Sequence, residues 1–206
     1  MSAESGKLAE AVVEALASRR IEAVVIGASA GGVDALVDLL PALPASFSPA
    51  TVCILHVPAD RESRLAELFA ARLSLPVLEA QDKQPLEPGT VYFAGAGYHL
   101  SIEQDRVFSL SCEPPVHYAR PAIDVLMESA ADALGTRLAG ILLTGANDDG
   151  AEGLARIGEH GGLTVVQDPD EAAIATMPRA AIRRRAPDLV LTLDRIRALL
   201  LELDKH

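Results

Sequence analysis

The sequence predicts a doubly wound α/β domain, with a mostly parallel sheet, helices on both faces and an antiparallel hairpin at one edge. Short runs rich in Val, Ile and Leu alternate along the chain with segments whose apolar residues recur at helical spacing. Buried parallel strands have this continuous apolar character, and the helices between them are amphipathic. A chain of 206 residues is long enough to bury the core of one such domain.

The alternation of apolar runs and helical segments assigns most of the elements. Ahead of the first strand, Leu8, Val12 and Leu16 fall on one helical face, which predicts a helical extension within 1–20 before a domain over 21–206. Helical spacing recurs in 33–40, 65–73, 125–130 and 196–200. The predicted strands of the parallel sheet are 23–26, 51–57, 137–143, 163–166 and 189–193.

One stretch, 85–113, has strand patterns with no helix between them. Its apolar and alternating segments are 91–93, 99–103 and 106–110. Gln104 and Asp105 form a two-residue turn signal between the last two segments. Because α/β sheets often carry an antiparallel strand at an edge, we expect this hairpin there.

Composition excludes several classes of protein. Eighteen Lys and Arg against 29 Asp and Glu leave a net charge of −11, which disfavours a nucleic-acid binder that needs a clustered basic face. The apolar runs are far shorter than the roughly 20 residues of a membrane-spanning helix, and the N-terminus lacks the layout of a signal peptide. Cys53 and Cys112 do not have zinc-site spacing, and no disulfide framework is expected. We expect a cytoplasmic protein that needs no metal and no cofactor.

The segment 22–33 reads as a strand, a glycine-rich turn and a helix, and it has two functional interpretations. As a dinucleotide-binding loop it is poor, because Ser29 stands where the second glycine of the fingerprint belongs and no acidic residue ends the next strand. As a nucleophile elbow it matches, because 27–31 fits G-x-S-x-G. The backbone N–H groups of Ala30 and Gly31 would then lie near a developing oxyanion. A helix-capping serine beside glycines has the same pattern, so the motif alone does not decide.

Two further strand ends supply partners for Ser29. His56 ends the second predicted strand, and Asp148 and Asp149 lie in a glycine-flanked acidic loop after the strand 137–143. The carboxyl ends of parallel strands meet at one edge of a sheet, so a serine, a base and an orienting acid are expected in one crevice. The chain order Ser, His, Asp differs from the Ser, Asp, His order of α/β-hydrolases and disfavours that fold.

The sequence resembles the catalytic domain of the CheB protein-glutamate methylesterases from about residue 21 to residue 200. The resemblance rests on motifs in the family's order. They are Ile26-Gly-Ala-Ser-Ala-Gly-Gly32, Leu55-His-Val-Pro58, Val91-Tyr-Phe-Ala94 with Tyr98-His-Leu100, Arg120-Pro-Ala-Ile-Asp124, Leu143-Thr-Gly-Ala-Asn-Asp-Asp-Gly-Ala151, Gly161-Gly162 with Gln167-Asp-Pro169, and Met177-Pro-Arg-Ala180.

The resemblance implies a carboxylic ester hydrolase in which Ser29 is the nucleophile, His56 the base and Asp149 the orienting acid. It implies hydrolysis of glutamate γ-methyl esters on the signalling helices of methyl-accepting chemoreceptors, with release of methanol, and deamidation of receptor glutamines. Family members commonly carry an N-terminal receiver domain over the active site. Since only about 20 residues precede the first predicted strand, a standalone member without a receiver is the expectation, with an isolated catalytic domain as the alternative.

Candidate substrate-binding residues surround this triad. Arg120 matches a family Arg-Pro and could steady a substrate carboxylate, although an ordinary ion pair explains it equally well. Ala30 and Ala146 stand where the family usually has Thr and Met, which bears on substrate fit more than on chemistry. Met177 is a candidate for the crevice rim, although a core methionine is the favoured explanation of this residue. Two other functions stay open: an esterase of a pathway outside chemotaxis, and a catalytically idle nucleotide-binding or scaffold module.

Overall fold

A seven-stranded sheet in which every neighbouring pair is parallel forms the centre of the molecule, in a computed structural model that describes residues 15–16, 19–56 and 63–203. The predicted parallel sheet is therefore confirmed. Its strands are β1 (Ala23–Ala28), β2 (Ala50–Leu55), β3 (Val77–Glu79), β4 (Val91–Phe93), β7 (Leu138–Leu142), β8 (Leu163–Gln167) and β9 (Leu189–Leu191). They lie in the order β3-β4-β2-β1-β7-β8-β9 across the sheet.

Helices lie on both faces of this sheet, as predicted. They are α1 (Gly32–Leu39), α2 (Leu65–Ala70), α3 (Ile123–Leu134), α4 (Ala151–Glu159), α5 (Thr176–Arg184) and α6 (Leu193–Leu203). Successive side chains of a strand point to opposite faces, so β1 sends Val24 and Ile26 into a core with α1, α2 and α6. Its residues Ala23 and Val25 pack on the other side with α3, α4 and α5. Two cores thus enclose one sheet.

The chain changes direction across the sheet at β1. Strands β2, β4 and β3 lie on one side of β1, whereas β7, β8 and β9 lie on the other. In open α/β sheets, ligands bind beyond the carboxyl ends of the strands at such a switch point. The topology alone therefore places the candidate site at the ends of β2, β1 and β7.

The stretch 85–113, whose strands have no helix between them, agrees only in part with the prediction of an edge hairpin. The antiparallel hairpin is present, with β5 (His99–Ile102) paired to β6 (Phe108–Ser111). It forms its own two-stranded sheet instead of extending the edge of the main one, and β5 packs against α3. Strand β4 is an inner parallel strand, because the short strand β3, which the apolar pattern did not reveal, takes the edge position.

Most of the predicted N-terminal extension, 1–20, lies outside the described residues. Within the described part, Ala15 and Leu16 are helical, and Leu16 is buried in the core that contains α1 and α6. Among the residues that the structure describes, no helix is long and apolar enough to span a bilayer.

Candidate active site

The turn after β1 exposes Ser29 at the sheet edge. Gly31 caps α1 with φ of 80°, a left-handed conformation that side chains rarely adopt, and a Cβ there would lie 2.9 Å from that of Ala173. The Gly32 N–H donates to the Ser29 carbonyl over 2.8 Å, which closes the turn. Ser29 remains only half-buried. This geometry is that of a nucleophile elbow, and glycine at position 31 makes it possible.

Three neighbouring strands bring the predicted triad together. Ser29 follows β1, His56 follows β2 on one side of it, and Asp149 lies in the loop after β7 on the other side. His56 Nδ1 is 3.1 Å from Ser29 Oγ, and His56 Nε2 is 2.6 Å from Asp149 Oδ2. These contacts fit a Ser–His–Asp triad in which Asp149 orients His56, and His56 is placed to take the proton of Ser29.

The orientation of the imidazole follows from its two neighbours. An ionised Asp149 can only accept, so His56 Nε2 carries the proton and donates it to Oδ2. Nδ1 is then the acceptor for the Ser29 hydroxyl, the role of a general base. In the chymotrypsin-type triad the two nitrogens have the opposite partners. The histidine side chain is 15% exposed, so substrate and solvent can reach it.

The surroundings of Asp149 favour its ionised form. Its side chain is completely buried, and burial by itself raises the pKa of the carboxyl group. Hydrogen bonds from His56 and from the backbone N–H groups of Asp124 and Ile123 outweigh that effect and lower this pKa. These two N–H groups belong to the first residues of α3, and that of Ile123 donates over 2.8 Å and that of Asp124 over 2.9 Å. The positive end of a helix thus holds the charge of the acid.

Thr144, which was not predicted as a site residue, ties the elbow to the acidic loop. Its carbonyl accepts from the Ser29 N–H over 2.9 Å, and its hydroxyl donates to the Ala30 carbonyl over 2.9 Å. Its own N–H donates to the side chain of Gln167 over 2.9 Å. Thr144 and Gln167 are both buried. Each is a polar residue directly after a predicted apolar strand, and this is the sequence signal that could have found them.

The other predicted site residues lie at different depths. Ala30 and Gly31 are half-buried, and within the described chain no protein acceptor is bonded to either backbone N–H, so both remain candidate oxyanion donors. Ala146 is exposed on the loop that leads to Asp149. The Arg120 guanidinium donates to the carbonyls of Cys112 and Glu113 over 3.0 and 3.1 Å, so it braces a loop.

Met177 lies in the core and not at the crevice rim. Its side chain is completely buried, and its N–H donates to the Gly145 carbonyl over 3.0 Å. A Cβ on Gly145 would lie 2.5 Å from the methionine Cε, so the side chain supports the loop from below. The expectation that Met177 contacts substrate at the rim is therefore corrected.

One cluster among the described residues has the composition of a metal site. His117, Asp124 and Asp149 each offer one possible ligand atom, and these three atoms lie within 4.8 Å of one another. Both oxygens of Asp149 already accept hydrogen bonds, and Asp124 accepts one from the Gly153 N–H. The donor set is thus engaged within the protein, and it does not fit a metal ion without losing those bonds.

Comparison with known proteins agrees with this geometry. The family model described as CheB methylesterase matches residues 24–200. A Leptospira interrogans protein named as a protein-glutamate methylesterase/protein-glutamine glutaminase is 44% identical over 185 residues, which is 90% of this chain and 96% of that protein. A Pseudomonas aeruginosa protein of the same name is 40% identical over 84% of this chain and 52% of its own length. The chain thus spans nearly all of the first relative and about half of the second.

A solved structure shares the fold. The crystal structure of the Thermotoga maritima CheB methylesterase catalytic domain superposes with a TM-score of 0.84 at 30% sequence identity, covering 89% of this chain and 98% of that one. The relatives bear esterase names, which favours the esterase interpretation over a nucleotide-binding or scaffold module. On these grounds, the chain belongs to the CheB methylesterase family, and residues 24–200 form its methylesterase domain.

Proposed function

We propose that this protein is a serine esterase that hydrolyses glutamate γ-methyl esters on chemoreceptor signalling helices and deamidates receptor glutamines. The observation that carries the proposal is the Ser29–His56–Asp149 array, with contacts of 3.1 and 2.6 Å at the carboxyl ends of adjacent strands. The family and the names of the relatives support the substrate class. An enzyme of this kind acts on cytoplasmic helices without entering the membrane, and we propose that location here.

Each triad residue has one task in the proposed reaction. The Ser29 hydroxyl attacks the ester carbonyl while His56 Nδ1 takes its proton, and Asp149 stabilises the resulting imidazolium. The N–H groups of Ala30 and Gly31 hold the tetrahedral oxyanion. As the tetrahedral intermediate collapses, His56 gives this proton to the ester oxygen, which leaves as methanol. When the substrate is a glutamine, the proton goes to the amide nitrogen, which leaves as ammonia. Water activated by His56 releases the glutamate from Ser29.

Two residues are proposed to shape substrate fit. Ala146 is exposed on the loop next to the triad, where a small side chain leaves room for a protein substrate. Arg120 acts through the loop at Cys112 and Glu113 that its guanidinium braces, so its contribution is to the wall of the crevice. Met177 supports the loop that carries Ala146 from the core, through its contact with Gly145.

Release of methanol from a methyl-labelled chemoreceptor tests the proposed function. We expect the parent protein to release labelled methanol and Ser29→Ala to lose the activity by at least about a thousandfold, because no other group can form the acyl-enzyme. Ser74→Ala is the matched control, since Ser74 is exposed at the amino end of β3, the end opposite to the site.

Two outcomes would contradict this proposal. Methanol release that survives Ser29→Ala would remove the assigned nucleophile. A parent protein that hydrolyses small esters in a Ser29-dependent way but leaves methylated receptor intact would point to an esterase of a pathway outside chemotaxis.

A further inference from the structure

A second carboxylate lies directly behind the acid of the triad. The backbone N–H of Asp124 donates to Asp149 Oδ1 over 2.9 Å, and its side-chain Oδ1 accepts from the Gly153 N–H over 2.7 Å. Asp149 therefore caps the N-terminus of α3, on which Asp124 lies, and Asp124 caps the N-terminus of α4, which follows Asp149. This reciprocal capping joins the two helix ends and fixes the loop that carries Asp149.

The second carboxylate has its own histidine. His117 Nε2 lies 3.2 Å from Asp124 Oδ2, and its Nδ1 lies 3.3 Å from Asp148 Oδ1. Asp124 is only 4% exposed, whereas the side chain of His117 is 38% exposed. Two Asp–His pairs thus stand back to back, His56 with Asp149 facing the serine and His117 with Asp124 facing a groove.

The groove that His117 and Asp124 line brings further charges to Asp124. It has a volume of about 550 Å³ and lies between α3, α4, α5 and the loops that carry His117 and Asp148. The titratable and charged groups that face Asp124 there, or act on it from within the cluster, are His117, Glu128, Asp148, Asp149, Glu152, Arg183 and Arg184.

Burial raises the pKa of Asp124 to about 6, although the hydrogen bond from Gly153 lowers it, and the charge of Asp149 adds to the rise. The pKa of Asp149 is lowered instead, because α3 and His56 hold its charge. The environments of the two carboxyl groups separate their titrations. Asp149 is therefore already ionised at the pH at which Asp124 gains its charge, which is close to neutral.

We propose that Asp124 is a positioning residue for the triad, which holds the loop of Asp149 in place by accepting from the Gly153 N–H. The inference rests on the proposed serine esterase function. Asp149 lies between the two helix ends that the reciprocal capping joins, and from there its Oδ2 lies 2.6 Å from His56 Nε2. Without the bond to Gly153 the start of α4 loses its connection to α3, and the acid that orients His56 is no longer held at that distance.

The variants Asp124→Ala and Asp124→Asn separate the hydrogen bond from the charge. Alanine removes the acceptor of the Gly153 N–H, whereas an asparagine oxygen can still accept but carries no charge. With p-nitrophenyl acetate as the probe at pH 8, we expect Asp124→Ala to lower kcat at least about tenfold while KM stays within about twofold. We expect Asp124→Asn to restore kcat to within about threefold of the parent. Asp132→Asn is the control, because it removes one exposed carboxylate from the same helix and should leave kcat unchanged.

A second measurement guards against a loss of folding. Circular dichroism and urea unfolding give the folded fraction of each variant, and kcat is expressed per folded enzyme, so a purely structural role leaves this value unchanged. A kcat of Asp124→Ala within about twofold of the parent overturns this inference alone. An equal loss in Asp124→Asn overturns it as well, because asparagine keeps the acceptor. Absence of Ser29-dependent hydrolysis in the parent overturns the proposed function together with it.

Discussion

Asp149 shows how one buried residue joins folding to chemistry. Its two oxygens accept from the first two backbone N–H groups of α3 and from His56. An unpaired carboxylate at 0% exposure would be strongly unfavourable, and these three donors compensate for it. The same bonds fix the orientation of the Asp149 carboxylate toward His56. The interactions that stabilise the loop therefore also orient the base.

Replacing Asp149 with Asn should therefore reduce both activity and stability. An amide can accept with only one of its two polar atoms, so at least one N–H group of α3 loses its partner and His56 loses its anionic acceptor. We expect kcat/KM to fall by roughly a thousandfold or more, and the free energy of unfolding to fall by about 1–3 kcal/mol. Ester hydrolysis and urea unfolding measure the two effects.

Asp105→Asn is the control, because Asp105 is exposed in the turn between β5 and β6 and this variant removes a carboxylate far from the triad in the sequence. A loss of only a few-fold in kcat/KM for Asp149→Asn would show that another group orients His56.

At the scale of elements, the site depends on how closely α3 and α4 approach each other. Gly153 lies in α4 at their contact, where an added Cβ would be 2.5 Å from Met127 Cβ and 3.1 Å from the backbone of Asp124. Only a residue without a side chain lets the helices meet at this distance. The Gly153 N–H then reaches Asp124, and the reciprocal capping behind the triad can form.

Gly153→Ala should consequently separate the two helix ends. We expect a loss of about 1–3 kcal/mol in the free energy of unfolding, because backbone and Cβ atoms cannot move aside as a flexible side chain can. Gly158→Ala in the same helix is the matched control. Its Cβ would meet the Arg185 side chain, which can move, and alanine favours a helix by up to about 1 kcal/mol over glycine. Urea unfolding of both variants is the measurement, and equal effects would contradict the close-packing argument.

For the whole molecule, the topology of the sheet decides where chemistry can occur. Since β1 lies between β2 and β7, the loops after three neighbouring strands meet at one edge. The two cores on either side hold these strands in place, so the side chains that follow them are presented on a rigid frame. The buried carboxyl groups beside this frame make the stability of the whole domain depend on pH.

The two carboxyl groups should act on that stability in opposite directions. The lowered pKa of Asp149 gives stability that is present above its unfolded pKa and is lost as the pH falls through the folded one. The pKa of Asp124, raised from 3.8 to about 6, gives stability that is full below the unfolded value and is lost as the pH rises through 6.

Asp124→Asn does not titrate, so the contribution of Asp124 can be isolated. We expect the unfolding free energy of this variant, relative to the parent, to increase by about 1–3 kcal/mol between pH 4 and pH 7. Urea unfolding at several pH values measures the difference. For Asp132→Asn, which removes an exposed charge, we expect the difference to stay within about 0.5 kcal/mol. A difference between Asp124→Asn and the parent that is independent of pH would contradict the raised pKa.

The amino-acid sequence by itself determined the parallel sheet, the elbow and the three residues that the structure brings into contact. Each of these has a local signal. Apolar runs mark buried strands, G-x-S-x-G marks the turn at Ser29, and His56 and Asp149 follow strands whose ends must share an edge. Periodicity and turn chemistry act over a few neighbouring residues, so they can be read without knowing the fold.

Only the tertiary structure decided the contacts that depend on how elements pack. The bonds from Asp124 to Asp149 and from Gly153 to Asp124 span 25 and 29 positions, and they exist because two helix ends meet. Met177 belongs to the core and the hairpin forms its own sheet for the same kind of reason. A local pattern shows that a side chain is apolar or that a strand is present, but the neighbour against which it packs is set by the crossing of distant elements.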